Sequence, residues 1–562
     1  MLNTIGLLAT AVLGAALTTS VGGPAPTAQP SQDTAATAFK EKLRGELREV
    51  VGRSAAEQLI PITIVMKDQV SRAQVQRLAA ADFKADRRAA VASLLKRVAR
   101  QSTRDVLEVL KARQSDGAVG PRLKSLWMRN VIATDATPQT IIELSERTDV
   151  AYINYDRPLG KELFPVEPIL GGDGSVLAGK EIECGVEIMR APEVWSEFGI
   201  TGKGAVVGVI DTGCCWEHPD LINQVWNNPG EIPGDGIDND ANGYIDDIVG
   251  WNFRDDTNDP FDDWGHGTHV AGTVGGDGTQ GTQTGMAPDV SLMILKYWNH
   301  LSGESVAWEA IQYGVDNDAD VITGSFGWSH GWDPDRTTWR EIGENAIAAG
   351  VVMNFAAGNE STWYDPIDNV RTPGDVPDII TVGGTDCDDD DYSSSSRGPV
   401  SWEDVPPWYD WAYPPGKMKP TIAAPSVDTI STDYDCISYS VKTGTSMGTP
   451  HVAGAIALIL EANPSLDHMA VKNILMETAV DLGDPGIDRV FGAGRVDVYE
   501  AVVMALSTAC PEDITGDGVV DVLDLLEVLG QWGGSGSADI TGDGVVDVLD
   551  LLEVLGAWGP CP

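Results

Sequence analysis

The stretch that organises this chain is Gly444-Thr-Ser446-Met-Gly-Thr-Pro450-His451, followed by the apolar run 452–460. The pattern predicts a buried helix that begins at a small, hydroxyl-rich turn. A serine at a helix start lies beside unpaired backbone N–H groups and the positive end of the helix dipole, and both favour an oxyanion near its hydroxyl. Taken alone, the octapeptide nevertheless favours a serine that only caps the helix.

Two upstream segments have the same character. An apolar strand pattern at 205–210 ends in Asp211, and a glycine-flanked His266 opens another helix-like pattern. Each residue alone has a structural explanation, as a turn cap for Asp211 and as a hydrogen-bonded core residue for His266. An aspartate, a histidine and a serine in this order, each in such a context, predict a catalytic triad. His269 lies one turn further along the same helix and is predicted to be structural.

These segments resemble the signatures of the subtilisin-like (S8) serine proteases, and the resemblance covers residues 185–506. It implies an α/β fold in which a parallel sheet carries helices on both faces. It also implies that Ser446 is the nucleophile, that His266 accepts its proton and that Asp211 orients the imidazole. The segment Ala-Ala-Gly-Asn359 resembles the family stretch whose asparagine completes the oxyanion hole with the N–H of the serine.

A further part of the resemblance concerns substrate binding. The segment Ser325-Phe-Gly327 resembles the strand that pairs with an extended substrate backbone, a contact that gives affinity with little sequence preference. The predicted substrate-binding residues are Ser325, Phe326, Gly327, Ala357 and Gly358. Side-chain pockets would then supply specificity, and we expect a preference for bulky apolar side chains.

Strand and helix patterns alternate in this domain, as a parallel α/β sheet requires. The predicted strands are 206–210, 291–295, 321–323, 351–356 and 379–382. The predicted helices are 268–274, 305–315, 340–349 and 449–461. Asp211 therefore falls at the carboxyl end of a strand and Ser446 at the start of a helix, where such sheets place their sites.

Three places depart from the family pattern. Gly448 stands where alanine is usual, and Ser426 replaces a glycine that usually follows an Ala-Pro pair. Cys214 and Cys215 replace the residues that usually follow the Asp-Thr-Gly segment. None of these changes removes a catalytic group. A thiol at either position has two open explanations, a bridge to Cys436 or a soft-metal ligand.

The first part of the chain predicts export. Residues 1–25 begin with an apolar run and end in small residues, which indicates a signal peptide, although the basic n-region is missing. The apolar run is short for a membrane span, and no later stretch reaches that length. The predicted mature protein therefore has no membrane span and is secreted, either extracellular or attached to a cell surface. The odd count of 7 cysteines leaves at least one unpaired in a monomer.

Residues 35–160 predict a small α+β unit. Its predicted strands are 62–66 and 150–154, and its predicted helices are 79–111 and 138–147. The motif Asn130-Val-Ile-Ala-Thr-Asp-Ala-Thr-Pro138 resembles the inhibitor I9 prodomain, which templates the folding of these proteases and blocks the cleft until it is cut away. An unrelated adaptor domain is the alternative. The following linker, 161–184, would contain the maturation cut.

Charge separates this unit from the rest of the chain. The net charge is −46, which argues against nucleic acid and anionic membrane surfaces as partners. Residues 31–160 carry +6, and the remainder carries −52. The predicted prodomain is therefore electrostatically complementary to the enzyme that it would inhibit.

An acidic insertion between Asp211 and His266 predicts a calcium site. Oxygen side chains at alternate positions, followed by a glycine, are what a tight calcium loop requires, and the segment resembles the first part of an EF-hand loop. The predicted ligands are Asp238, Asp240, Asn242, Tyr244 and Asp246. Because Val249 stands where the bidentate acidic residue is expected, an ordinary solvated loop is the alternative.

The C-terminal segment 510–562 holds two copies of one loop-helix unit, with a period of 26 residues. The repeat resembles a dockerin module, a small α-helical domain with calcium loops, and implies a cohesin-like partner. A pair of ordinary EF-hands is disfavoured because no helix precedes either loop. Cys510 and Cys561 bracket the module and would link its ends. The predicted calcium ligands are Asp513, Thr515, Asp517, Val519, Asp521, Asp524, Asp539, Thr541, Asp543, Val545, Asp547 and Asp550.

The whole sequence thus predicts a secreted, calcium-stabilised serine endopeptidase that is made as a zymogen and is attached to a partner through its tail. Its own prodomain and protein or peptide substrates are the other expected partners. A catalytically silent protease fold used for binding is the alternative, and the intact set of catalytic residues argues against it. A structural calcium scaffold would explain only the acidic loops.

Overall fold

The computed structural model describes residues 42–79, 84–158, 181–298, 303–361, 368–515, 519–534, 536, 538–541 and 544–561. The predicted signal peptide and most of the predicted linker lie outside these ranges. So do two of the predicted calcium ligands in the tail, Asp517 and Asp543.

The N-terminal unit, residues 42–158, is an antiparallel sheet covered by helices. Its strands are β1 (Ile60–Met66), β2 (Val119–Leu126), β3 (Val131–Ala136) and β4 (Val150–Tyr155). Its helices are α1 (Leu47–Arg53), α2 (Arg72–Ala79), α3 (Lys84–Gln114) and α4 (Pro138–Ser145). The strand order is β2-β3-β1-β4. This architecture is of the α+β type, but β2 and β3 were not predicted. β2 is rich in polar residues and half-exposed, whereas in β3, which is almost fully buried, Thr134 and Asp135 interrupt the apolar run.

The central domain, residues 181–509, is built on a parallel sheet with the strand order β11-β10-β9-β8-β5-β7-β6 in the described residues. The strands are β5 (Val206–Asp211), β6 (Gly250–Asn252), β7 (Ser291–Lys296), β8 (Val321–Gly324), β9 (Val352–Ala356), β10 (Ile380–Thr385) and β11 (Ile422–Pro425). All the predicted strands are confirmed. The two edge strands β6 and β11 were not predicted, because they span only three and four residues.

Helices pack on both faces of this sheet, as predicted. They are α5 (Cys184–Ile188), α6 (Ala191–Phe198), α7 (His266–Gly275), α8 (Glu304–Asp316), α9 (Arg336–Ala348), α10 (Thr445–Ala462), α11 (His468–Glu477) and α12 (Val498–Ala509). Alternate residues of β7 serve different cores: Met293 and Leu295 pack towards α8 and α9, whereas Leu292 and Ile294 pack towards α7 and α10. A strand buried on both sides is continuously apolar, which is why these strands were recognisable in the sequence.

A polar hairpin, β12 (Thr429–Thr432) and β13 (Tyr439–Lys442), lies against α7. Its presence was not predicted, because its serine and threonine residues give no hydrophobic alternation. His269 anchors it, since Nε2 lies 3.1 Å from the carbonyl oxygens of both Thr429 and Ser440. Burial holds the pKa of His269 well below its ordinary value, so the ring is neutral and structural.

The tail module follows α12 directly. It contains α13 (Val522–Gly530) and α14 (Val548–Gly556) with the short strands β14 (Val519–Val520) and β15 (Gly559–Pro560). Equivalent residues of the two repeats fill one small core, namely Val520 with Val546 and Val528 with Val554. The loop-helix repeat read from the sequence is therefore present as two packed helices.

Three disulfides link described residues: Cys184 to Cys387, Cys215 to Cys436, and Cys510 to Cys561. The second confirms one of the two explanations offered for the paired cysteines, and the third confirms the predicted link across the tail. Cys214 is a buried free thiol. In the part of the chain that the structure describes, no helix has the length and apolarity needed to cross a bilayer.

Candidate active site

An aspartate–histidine pair lies at the carboxyl edge of the central sheet. Asp211 is the last residue of β5, and His266 is the first residue of α7. Asp211 Oδ1 lies 2.7 Å from His266 Nδ1, and the two residues are only 1% and 4% exposed. A buried carboxylate at Nδ1 fixes the ring so that Nε2 is the base, and it stabilises the imidazolium that forms when Nε2 takes a proton.

The glycine after the histidine allows this close approach. A Cβ atom on Gly267 would lie 2.1 Å from the carbonyl oxygen of Gly213 and 3.1 Å from Asp211 Cβ. Any side chain at this position would push α7 away from the end of β5. The glycine pattern of the motif therefore allows the short distance between the Asp211 and His266 side chains.

Ser446 is the second residue of α10 and is 2% exposed. Its hydroxyl donates to the carbonyl oxygen of Ser325 at 3.0 Å, and the Ser325 hydroxyl donates to the Ser446 carbonyl oxygen at 2.8 Å. The second bond has a local cause. Pro450 has no N–H to donate to the carbonyl four residues before it, and Ser325 satisfies that carbonyl instead. This reciprocal pair of hydrogen bonds holds Ser446 at the end of β8.

The Asn359 side chain is oriented by the residue before the nucleophile. Its Oδ1 accepts the Thr445 backbone N–H and the Thr445 hydroxyl, each at 3.0 Å. A backbone N–H can only donate, so the oxygen of the carboxamide is identified by its partner. Nδ2 is then the end of the group that is left to bind an oxyanion. Sequence reasoning missed this role of Thr445, because a threonine beside a serine carries no pattern of its own.

The predicted substrate-binding residues border this arrangement. Ser325 and Phe326 follow β8, whereas Ala357 and Gly358 follow β9, and β8 and β9 are neighbours in the sheet. The Phe326 ring is buried against Tyr297, with ring centroids 4.4 Å apart. Contact of all five residues with a substrate remains a prediction.

The acidic insertion brings three carboxylates together. The oxygen atoms of Glu231, Asp238 and Asp240 lie within 4.8 Å of one another among the described residues. Asp238 and Asp240 were predicted as ligands, whereas Glu231 was missed, because it precedes the loop without a recognisable spacing. Two other predicted ligands are engaged elsewhere: the Asp246 carboxylate accepts backbone N–H groups of Gly234 and Gly236, and the Asn242 oxygen accepts the N–H of Tyr244.

The two loops of the tail have the same internal bonding. Asp524 accepts the backbone N–H groups of Thr515 and Asp521, and Asp550 accepts those of Thr541 and Asp547. Both carboxylates are fully buried. Oδ1 of Asp539 is also buried, and within the described ranges it has no hydrogen-bond partner. A buried, unpaired carboxylate oxygen is costly unless a cation neutralises it, which fits the predicted calcium loop.

Ion pairs and a shared apolar cluster join the N-terminal unit to the central domain. In the ion pairs between described residues of the two, every cation comes from the N-terminal unit and every anion from the central domain, with N···O distances of 2.5 to 3.9 Å. The pairs are Arg72–Glu344, Arg72–Asp378, Lys84–Asp320, Arg88–Asp318, Lys96–Asp316, Arg122–Glu309, Lys124–Asp256, Lys124–Glu309 and Arg129–Glu341. The charge complementarity predicted from the sequence is therefore present as direct contacts with α8, α9 and the adjoining loops.

The N-terminal unit also forms hydrogen bonds at the starts of the two helices that it covers. Asp156 accepts the Ser305 backbone N–H at 3.1 Å, at the start of α8, where the N-cap residue Gly303 offers no side chain. Asp335 caps α9 and in turn accepts Asn154 Nδ2 at 2.6 Å. A carboxylate at a helix N-terminus satisfies unpaired N–H groups and complements the helix dipole. Removal of the N-terminal unit would leave the Ser305 N–H of α8 to water, whereas Asp335 of the central domain would still cap α9.

Comparison with known proteins gives a consistent result. The model of the Subtilase family matches residues 202–494. Bacillopeptidase F of Bacillus subtilis (strain 168) is 28% identical over 456 residues, which are 78% of this chain and 30% of that protein. Subtilisin DY of Bacillus licheniformis is 32% identical over 325 residues, 57% of this chain and 98% of that protein. The Major intracellular serine protease of B. subtilis (strain 168) is 32% identical over 282 residues, 50% of this chain and 75% of that protein.

Proposed function

The chain belongs to the subtilase family and is a serine endopeptidase of that family, and we propose that Asp211, His266 and Ser446 are its catalytic triad. The observation that carries this proposal is the buried 2.7 Å contact between Asp211 Oδ1 and His266 Nδ1. The position of Ser446 supports the proposal. Ser446 is the second residue of α10, and α10 packs against α7, whose first residue is His266.

The geometry supports a stepwise acyl transfer. An extended substrate would pair with 325–327 and displace the Ser446 hydroxyl from the Ser325 carbonyl oxygen. The hydroxyl would then give its proton to His266 as its oxygen attacks the scissile carbonyl carbon. The backbone N–H of Ser446 and Nδ2 of Asn359 would hold the resulting oxyanion. His266 would next protonate the leaving amine, and water would hydrolyse the acyl-enzyme by the same route.

A fluorophosphonate probe tests this assignment, because it reacts with an activated serine rather than with an ordinary one. We expect stoichiometric labelling of Ser446 in the processed enzyme, located by peptide mass spectrometry, and no labelling of Ser446 in the His266→Ala variant. Ser325, which contacts Ser446, is the internal control and should stay unmodified. Failure to label Ser446 would favour the alternative of a catalytically silent protease fold.

The N-terminal unit is proposed to be the inhibitory prodomain of a zymogen, and the cut is proposed to fall within 161–184. Its ion pairs and helix caps support this role, because they place a separately folded unit on α8 and α9. The last residues of this range already pack on the enzyme: Glu183 accepts the N–H of Gly185, and its Oε2 lies 3.2 Å from Nε2 of His451 in α10. A cut before Glu183 would leave this contact intact.

Calcium is the proposed cation of the acidic insertion and of the tail. Carboxylate oxygens are the donors that calcium prefers, and Glu231, Asp238 and Asp240 would hold it in the insertion. Asn242, Tyr244 and Asp246 remain predicted ligands. In the tail, the buried oxygen of Asp539 supports the predicted ligand set. The chemistry proposed for the ion is neutralisation of crowded carboxylates, with no part in peptide hydrolysis.

The tail is proposed to attach a secreted enzyme to a cohesin-like partner, outside the cell or at its surface. Each repeat presents apolar side chains to solvent, two from its helix and one just after it: Val522, Leu526 and Trp532 are 52%, 56% and 49% exposed. Their counterparts in the second repeat, Val548, Leu552 and Trp558, are 52%, 57% and 51% exposed. A contiguous apolar face of this kind usually marks a protein interaction site.

A further inference from the structure

Asp262 is a buried carboxylate that the proposed triad does not use. It lies four residues before His266 and is 2% exposed. We propose that Asp262 is a positioning residue that holds Asp211 and His266 at bonding distance by joining the loop after β5 to the first turn of α7. The proposal rests on the triad assignment given above, and its test separates the two.

Five donors converge on the Asp262 carboxylate. Oδ1 accepts the Thr212 hydroxyl at 2.8 Å and the backbone N–H groups of Trp264 and Gly265, each at 2.9 Å. Oδ2 accepts the backbone N–H and the hydroxyl of Thr268, at 2.9 and 2.7 Å. A carboxylate with this many donors is fixed in one orientation, and each bond to a charged acceptor is stronger than one between neutral groups.

The two sides of the carboxylate reach the two catalytic residues. Thr212 follows Asp211, donates its backbone N–H to Asp211 Oδ1 at 2.8 Å, and accepts the backbone N–H of Gly267 through its hydroxyl, also at 2.8 Å. Gly267 follows His266. The Thr212 hydroxyl therefore accepts a hydrogen bond from the residue after His266 and donates one to Asp262. These bonds join the loop that follows Asp211 to the first turn of α7, which carries His266.

Asp262 also replaces a cap that α7 lacks. The N-cap residue of α7 is Gly265, which has no side chain to accept the exposed N–H groups of the first turn. Asp262 accepts that of Thr268, and Thr212 accepts that of Gly267. The negative charge also complements the positive end of the helix. The orientation of the first turn, and thus of His266, depends on these two side chains.

A turn aspartate that only stabilises the fold would show the same bonds, so the test needs a readout that stability alone does not move. The acid limb of the kcat/KM profile reports the essential base of the free enzyme. Among the described ionisable groups that face the Asp211–His266 pair, Lys442 on β13 is charged, whereas burial keeps Cys214 after β5, Tyr297 after β7 and His269 on α7 neutral by shifting their pKa values. If a substitution changes none of these charges and still shifts the acid limb, the shift reports a change in the geometry of the Asp211–His266 pair.

Thr212→Val is such a substitution, because it removes the hydroxyl that joins Asp262 to Gly267 and keeps the shape of the side chain. We expect kcat per active site to fall about 10- to 100-fold with KM nearly unchanged, since Thr212 and Asp262 are buried beneath the catalytic pair. A looser Asp211 contact stabilises the imidazolium less, so the acid limb should move to lower pH. Thr212→Ser, which keeps the hydroxyl, should restore both.

The measurements use the full-length precursor processed to active enzyme, with active sites counted by the fluorophosphonate. Asp262→Asn should act in the same direction, because its amide N–H groups would face the N–H of Thr268. Asp263→Asn is the matched control: this neighbouring carboxylate is 75% exposed and pairs with Lys296 of β7, so its loss removes one negative charge beside the site and keeps the bonds of Asp262. It should leave kcat and the acid limb close to those of the parent enzyme.

Two outcomes would overturn the proposal. One is a Thr212→Val enzyme with parental kcat and acid limb per labelled site. The other is a loss seen only as a lower melting temperature or a smaller labelled fraction, which would make Asp262 an ordinary fold-stabilising residue. If Ser446 of the parent enzyme takes no label while the peptidase is active, the triad assignment fails instead, and the Asp262 test is read from kcat alone.

Discussion

Two departures from the family pattern, Gly448 and Ser426, lie in contact with each other. A Cβ atom on Gly448 would lie 2.4 Å from the Ser426 hydroxyl oxygen and 3.0 Å from the Ala424 carbonyl oxygen. The Ser426 hydroxyl occupies this space and donates to that same carbonyl at 2.9 Å. Ser426 is larger than the glycine usual at its position, and Gly448, two residues after Ser446, is smaller than the usual alanine and leaves the space that the Ser426 hydroxyl fills.

We expect these two positions to be energetically coupled. Gly448→Ala should destabilise the protein by about 1–3 kcal/mol through overpacking, which outweighs the gain of about 1 kcal/mol in helix propensity. Adding Ser426→Gly should recover most of the loss. Thermal unfolding of the two single variants and the double variant, in the Ser446→Ala background, measures the coupling. Additive effects of the two substitutions would show that they act independently.

The residues found from the sequence were those with patterned surroundings. Asp211, His266 and Ser446 each adjoin glycines and an apolar run, because a catalytic side chain at the end of a buried element needs both close backbone approach and a packed support. Thr445 and Asp262 support them through bonds between segments that are distant in sequence. Sequence alone does not show which distant segments meet, so such residues became visible only in the folded chain.

At the scale of elements, α10 begins one turn earlier than predicted. The sequence favoured a start at 449 because proline is common in the first turn of a helix. The structure starts α10 at Thr445, with Pro450 in its interior. Ser325 from β8 provides the missing hydrogen bond, and this contact between elements is not encoded near the proline. The error matters for function, because it moves Ser446 from a turn into the helix.

Calcium should govern the order of the tail. The loops crowd Asp513, Asp524, Asp539 and Asp550 with other carboxylates, and helices of nine residues such as α13 and α14 are too short to be stable alone. We expect amide hydrogen exchange of both helices, in the full-length Ser446→Ala chain, to be slow in calcium and fast in chelator. Equal protection in both conditions would contradict a metal-dependent module.

Matched variants locate this effect. Asp550→Asn removes a buried carboxylate of the second loop, whereas Glu553→Gln removes an exposed one from the following helix. The first should raise the calcium concentration needed to protect α14, and the second should not.

Deletion of 510–562 should leave hydrolysis of a small peptide unchanged, because no residue of the proposed triad lies in the tail. Loss of activity on deletion would make the tail part of the enzyme fold.

At the scale of the whole molecule, the N-terminal unit should inhibit the processed enzyme through its cations. Lys124 pairs with Glu309 at 2.9 Å and Asp256 at 2.7 Å, and Glu309 is 1% exposed. Added in trans, the unit carrying Lys124→Gln should inhibit about 10-fold more weakly, since the variant leaves a buried carboxylate with one cation fewer. Arg104→Gln, whose cation pairs within the unit with Asp105, is the control. Identical inhibition by both variants would contradict an electrostatic interface.

Inhibition should also weaken as the pH rises. Burial raises the pKa of Glu341 from 4.5 to about 7 in the complex, despite its pairing with Arg129, and shifts those of Asp316 and Glu344 in the same direction. Release of the N-terminal unit returns water to these carboxyl groups and lowers their pKa values. Between the lower and the higher pKa, the carboxyl groups are therefore protonated in the complex and ionised in the free enzyme. Affinity is therefore full below the free-enzyme values and is lost as the pH rises through about 7. Fluorescence anisotropy with the Ser446→Ala enzyme measures the affinity of the N-terminal unit at each pH. Glu341→Gln should make this affinity depend less on pH. An unchanged pH dependence in that variant would contradict an origin in the Glu341 carboxyl.

The central claim is that one triad both matures the precursor and hydrolyses substrates. Its most direct test is to purify the Ser446→Ala precursor with no other protease present and to determine its N-terminus by mass spectrometry, beside Ser329→Ala as a matched control. The account predicts that Ser446→Ala stays uncut and inactive, whereas Ser329→Ala is cut within 161–184 and is active. Correct cleavage of Ser446→Ala would contradict it.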